Sequence, residues 1–161
     1  DDGPIVVQAA DTWKNHSGIN EQTEVSDGQL VLMQANTEDF HAKLAGGPYK
    51  KSSGGTMYAS FDVEFYELPS GDGSYFAHFR DDGFDYRARI VAQATGAEGG
   101  AFRIGVTSKG KASTAVVDND LHLDTVYKVV VAMSLADAST TLWIDPETNL
   151  RTASGCGFIG G

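Results

Sequence analysis

A single cysteine in 161 residues, Cys156, rules out an internal disulfide framework. Four prolines against nineteen glycines exclude a proline-rich linker and leave glycine to make the turns. No apolar run approaches the roughly 18 residues of a membrane-spanning helix. Bases are scarce too: 12 against 22 acids, for a formal charge of -10. Phosphate binding needs clustered Lys and Arg, and no such cluster exists, so a nucleic-acid partner is excluded and an anionic membrane surface is disfavoured. The chain also lacks H-E-x-x-H and G-x-S-x-G, and the lone cysteine has no nucleophile motif around it. His16, His41, His78 and His122 are scattered without metal-ligand spacing.

What is present is ordinary globular composition, 41% hydrophobic and 21% charged, at a length that suits one domain, 1–161, with a core of its own. The apolar period is two almost everywhere. In "TMYASFDVEFYEL" Met57, Ala59, Phe61, Val63 and Phe65 share one face, and Tyr58, Ser60, Asp62, Glu64 and Tyr66 the other. "SYFAHFR" sets Tyr75, Ala77 and Phe79 against Phe76, His78 and Arg80. "YRARIVAQ" sets Tyr86, Ala88, Ile90 and Ala92 against Arg87, Arg89, Val91 and Gln93. "AFRIGVT", "VYKVVVAMS" and "TTLWID" continue the alternation, while "PIVVQ", "EVS" and "QLVLMQ" read as shorter strands, with "SDGQ" a hairpin turn between the last two. "ANTEDFHAKLAG" reads as one irregular turn or a short strand. The spacers are turn chemistry, and no linker or repeat divides the chain. The expectation is an all-β, two-sheet antiparallel β-sandwich of jelly-roll type.

Chemistry is sought first in "SFDVEFYELP". Residues i and i+2 of a strand share a face about 6.5–7 Å apart, so Asp62 and Glu64 approach the pair a retaining glycosidase needs, while Glu67 falls opposite. The same acids suit the wet face of a sheet whose other face is a buried stripe, and that reading is preferred: no catalytic residue is assigned. For sugar binding, alternation places Tyr58, Tyr66, Phe76 and Trp143 outward as a platform. "SGDGS", "RDDGFD" and "DNDLHLD" supply oxygen-rich loops in which calcium is the one cofactor worth considering, although none is an EF-hand loop and no metal ligand is assigned.

Several stretches, "WKNHSG", "VSDGQLVL", "LAGGPY", "MYASF", "LPSGDGSYFAHFRD", "YRARI", "FRIGV", "LDTVYKVVV" and "TLWIDP", resemble in order the concanavalin A-like, laminin-G-like jelly-roll modules of bacterial secreted and cell-surface proteins. The resemblance implies an extracellular or cell-surface setting; the start "DDGPIVV" is read separately as a mature N-terminus left by processing. Such modules open with a further strand before the "GPIVVQ" segment and continue past "LWIDP", where only "ETNLRTASGCGFIGG" follows. An exposed sheet edge is thus expected, and an exposed edge is a template for another chain. The leading expectation is a non-catalytic subunit of a surface layer or filament, a homo-oligomer or polymer formed through sheet edges and termini. Its assembly contacts are Pro4, Ile5, Val6, Val7 and Gln8 at one end, and Cys156, Phe158 and Ile159 at the other. A carbohydrate-binding or adhesion module with a polysaccharide partner is the alternative, and a glycoside hydrolase the remote one.

Overall fold

The computed structural model describes residues 2–81, 85–107 and 113–146, and the backbone of 157–159. The chain reads as one domain in sequence; in space it gathers into two compact units, Asp1–Pro48 and Tyr49–Gly161.

The first unit holds β1 (Gly3–Pro4), α1 (Ile5–Gln8), β2 (Trp13–Ser17), β3 (Glu24–Ser26), β4 (Gln29–Val31) and β5 (Asp39–Ala42). β1, β3 and β4 form one sheet in that order, and β2 pairs with β5. Asp27 and Gly28 both take positive φ, 50° and 76°, which is the backbone of a two-residue hairpin turn, so the "SDGQ" turn and the "EVS" strand are as expected, while of "QLVLMQ" only Gln29–Val31 is strand. "PIVVQ" is a correction. Only Gly3 and Pro4 pair as a strand, and Ile5–Gln8 is one helical turn, closed by the Ala9 N–H on the Ile5 carbonyl. Burying Ile5 against this unit prevails over the strand preference of its β-branched run. "DFHA" is a short strand, within the range its sequence allowed.

The second unit holds β6 (Thr56–Glu64), β7 (Ser74–Arg80), β8 (Tyr86–Gln93), β9 (Arg103–Thr107), β10 (Ala115–Val116), β11 (Val126–Ser134), β12 (Thr140–Ile144) and β13 (Gly157–Ile159). These build two four-stranded antiparallel sheets, ordered β10-β9-β8-β7 and β13-β12-β11-β6. Their inner faces share one core. Ile90, Phe102, Ile104 and Val106 of one layer meet Tyr127, Val129, Val131, Leu142 and Ile144 of the other. Met57, Ala59, Phe61, Val63 and Phe65 pack against it, the face that alternation assigned to them. Each such fully buried aliphatic side chain contributes about 1.5–3 kcal/mol. The all-β sandwich is therefore the architecture of this unit.

An aromatic seam ties the layers together. Phe76 meets Phe61 at 6.2 Å and Phe65 at 5.3 Å between ring centroids, Phe65 meets Phe102 at 4.9 Å, and Phe102 meets Tyr127 at 6.3 Å. Phe76 is thus a core residue. The reason lies in the β7–β8 register, which slips between Tyr75 and Ala77 and again between Ala77 and Phe79, so Phe76, Ala77 and Phe79 all reach the core. Ala88, at φ 48°, marks the compensating irregularity in β8.

Candidate functional site

The outer face of the β6–β11–β12 sheet carries the fullest set of exposed chemistry that the sequence singled out. Its antiparallel register aligns Tyr58 with Ala132 and Thr141, Ser60 with Val130 and Trp143, Asp62 with Lys128, and Glu64 with Val126. Residues directly opposite one another project to the same side of a sheet. Tyr58 and Trp143 therefore stand on one face, two strands apart and two residues out of step, about 12 Å between Cα positions. Tyr58 is 65% exposed, and Trp143 is half-buried. Between them lies an uncharged strip of exposed Ser60, half-buried Val130 and buried Ala132.

Charge is confined to one end of this face. The Lys128 ammonium donates to Asp62 at 2.6 Å, and the Lys128 main chain is held by two hydrogen bonds with Asp145: its N–H donates to the side-chain Oδ1 at 2.7 Å, and its carbonyl accepts the Asp145 N–H at 2.8 Å. The Tyr66 hydroxyl, 64% exposed, donates to Glu64 Oε2 at 2.8 Å. That hydrogen bond, then the charge of Glu64, raises the phenol above its ordinary pKa. Asp62 and Glu64 do share a face, as their spacing requires, but each is committed to a neighbour, and Glu67 is exposed. Of the four residues expected as a sugar platform, Tyr58, Tyr66 and Trp143 gather at this sheet, and Phe76 is removed to the core seam.

A second cluster was hidden from alternation. The slipped β7–β8 register brings Tyr75, His78, Tyr86 and Arg89 together: the Arg89 guanidinium lies 4.9 Å from the Tyr86 ring centroid and 5.3 Å from that of Tyr75, and His78 and Tyr86 lie 4.5 Å apart. Stacking of this kind fastens the guanidinium to the sheet. Strict alternation had put Tyr86 on the face opposite Arg89. In the first unit, His16 and His41 approach across β2 and β5 with their Nδ1 atoms 3.3 Å apart, one ring donating to the other. Residues 25 positions apart leave no local signal of such a pair.

Two acids of the "DNDLHLD" loop are committed to Arg103 and its surroundings. Asp120 accepts the Gly99 N–H at 2.6 Å, the Glu98 N–H at 3.0 Å and Arg103 Nε at 2.5 Å, while Asp118 takes Arg103 Nη1 at 2.8 Å. The Arg103 hydrogen bond leads in holding the Asp120 carboxyl below its usual range. "DNDLHLD" thus clasps a guanidinium. Asp82 of "RDDGFD" lies outside the described residues, among which no group of three or more His, Cys, Asp or Glu is placed to hold a metal ion.

Of the expected assembly contacts, Pro4 pairs with Glu24, Ile5 is buried, Val6 is half-buried, and Val7 and Gln8 are exposed. Cys156 lies outside the described residues. For Phe158 and Ile159 only the backbone is described, and it pairs with Thr141 and Thr140 of the same chain. The exposed apolar surface of the first unit that sequence reading passed over is Leu30, Val31, Leu32 and Met33. Its signal was present: four apolar residues in a row cannot all face one side of a strand. No protein-family model, curated protein or solved structure matches this chain.

Proposed function

We propose that this chain is a non-catalytic polysaccharide-binding module of the extracellular or cell-surface kind, which seats an extended sugar chain on the outer face of the β6–β11–β12 sheet. The carrying observation is the placement of Tyr58 and Trp143 on one face of a rigid sheet, separated by the small strip of Ser60, Val130 and Ala132. Aromatic faces bind the apolar faces of sugar rings, and the Ser60 and Thr141 hydroxyls supply hydrogen-bond partners for the sugar's own. An open, shallow face suits a polymer rather than a small molecule, which favours a concave pocket.

Two competing readings have less behind them. Hydrolysis by Asp62 and Glu64 has to contend with the ion pair to Lys128 and the hydrogen bond from Tyr66. A filament subunit joined through its termini has to contend with an N-terminal helical turn and a C-terminal strand paired within its own chain. The self-assembling reading keeps one support, the exposed apolar run at β4.

The test is binding to a panel of immobilised polysaccharides, with and without chelator, alongside Tyr58→Ala and Trp143→Ala. At least one polysaccharide is expected to bind, and each variant is expected to weaken binding about tenfold, or roughly 1.4 kcal/mol, with no release of reducing ends. Melting curves separate a folding defect in Trp143→Ala from a lost contact. Absence of binding across the panel, or full binding by Tyr58→Ala, overturns the reading.

A further inference from the structure

We infer that two copies of this chain pair through β4, antiparallel about a twofold axis beside Val31. This stands on observations separate from the sugar-binding face. Among the described residues β4 is the last strand of its sheet, bonded to β3 on one side. Along it and just beyond, Leu30, Val31, Leu32 and Met33 are 42%, 40%, 49% and 57% exposed. Seven of the eleven exposed large hydrophobic residues, among the described residues, lie in the first 48 positions. The apolar exposure is concentrated in this unit, and such concentration marks an interface.

Sheet edges are ordinarily blunted by charge, proline or a bulge. The free edge of β6 follows that rule with Asp62 and Glu64. The segment from Gly28 to Thr37, "GQLVLMQANT", has neither charge nor proline. In a chain of net charge -10, two identical molecules repel over most of their surfaces, and a neutral strip is where they can close.

The register says why the occupant is a second copy. Ser26 and Gln29 flank the two-residue turn and so exchange hydrogen bonds; the ladder alternates, so Val31 bonds to Glu24 and Leu30 turns its N–H and C=O to the open edge. β4 ends at Val31, and the pairing extends it by one residue so that Leu32 follows Leu30 in the alternation. An antiparallel partner reads the strand backwards, and Leu30-Val31-Leu32 is the same in both directions. Two copies then place Leu30 of each opposite Leu32 of the other as hydrogen-bonded pairs. Val31 faces its own copy in the closer, non-hydrogen-bonded pairing, at about 4.5 Å between Cα atoms. A twofold contact of this kind closes on itself, giving a dimer rather than a fibre.

Sedimentation velocity across a wide concentration range tests the pairing. The chain is expected to pass from monomer to dimer, with Val31→Lys raising the dissociation constant at least tenfold by setting two ammonium groups face to face. Val126→Lys, at a 60% exposed position of β11, is expected to leave it unchanged. Val31→Cys on a Cys156→Ser background is expected to form a disulfide-linked dimer under mild oxidation, since the paired Cα atoms fall in the bridging range; this keeps the test decisive should the lysine variant misfold. A monomer at the highest soluble concentration overturns the inference. So does a dimer that Val31→Lys leaves intact and Val31→Cys fails to cross-link, or one in which Val126→Lys disrupts association equally.

Discussion

The buried carboxylate of Glu38 accepts the backbone N–H of Thr23 at 2.7 Å, across fifteen residues of chain. The same side chain takes the N–H groups of Gln22 at 2.9 Å and Glu21 at 3.0 Å, and Asn15 Nδ2 at 3.3 Å. It replaces secondary structure over a stretch where Glu21 sits at φ 68°. Burial works against the charge, but the donors of Thr23, Glu21, Asn15 and Gln22 outweigh it, and the pKa of Glu38 is lowered.

Stability from Glu38 is therefore present in full above the ordinary glutamate range and is lost as pH falls through its lowered folded value. Glu38→Gln sets an amide N–H₂ against backbone donors and is expected to cost about 1.5–3 kcal/mol. Urea denaturation at neutral pH measures this. Repeating it in acid is expected to shrink the gap between the variant and the parent chain, because protonation removes the advantage the parent holds.

Gly18 is expected to tolerate no side chain. Its φ is 74°, and a Cβ there would fall 1.7 Å from the Thr37 carbonyl oxygen. Gly28 has a similar φ of 76° but open space around it. Gly28→Ala is expected to cost about 1–2 kcal/mol from backbone strain alone. Gly18→Ala is expected to cost distinctly more, since the backbone must move. Equal melting temperatures for the two variants would contradict the close approach.

Leu142, fully buried where the two sheets of the second unit meet, is expected to lose about 2–5 kcal/mol as Leu142→Ala. Val126→Ala on the outer surface is expected to stay within about 0.5 kcal/mol of the parent. Denaturant midpoints for the pair check whether the core lies between these sheets.

Asp137 is expected to titrate well below the ordinary aspartate range. The Ser139 N–H, then the hydroxyls of Ser134 and Ser139, stabilise its charged form and lower its pKa to about 2. Carbon-13 NMR of the carboxyl gives the value directly. Ser139→Ala removes the 2.8 Å hydroxyl bond but keeps the backbone donor, so the midpoint is expected to rise only part of the way.

The alternation of apolar residues determined β6, β7, β8, β9, β11 and β12 and which face of β6, β9, β11 and β12 is buried, because side chains of a regular strand alternate and burial selects one set; the short β10 and β13 gave no such signal. It also determined that Tyr58 and Trp143 face outward. Only the tertiary structure decided that they share one face of one sheet, since that depends on β11 pairing with β6 across more than sixty residues as well as with the adjacent β12. The structure likewise decided the fate of Phe76 and Tyr86, whose faces changed when β7 and β8 slipped register, an event with no local signature beyond Ala88 at a positive φ. The meeting of His16 with His41, and of Glu38 with Thr23, is decided there too. Periodicity reports how a residue relates to its own strand, whereas pairing, slippage and long-range hydrogen bonds are settled by competition among all the strands for a common core.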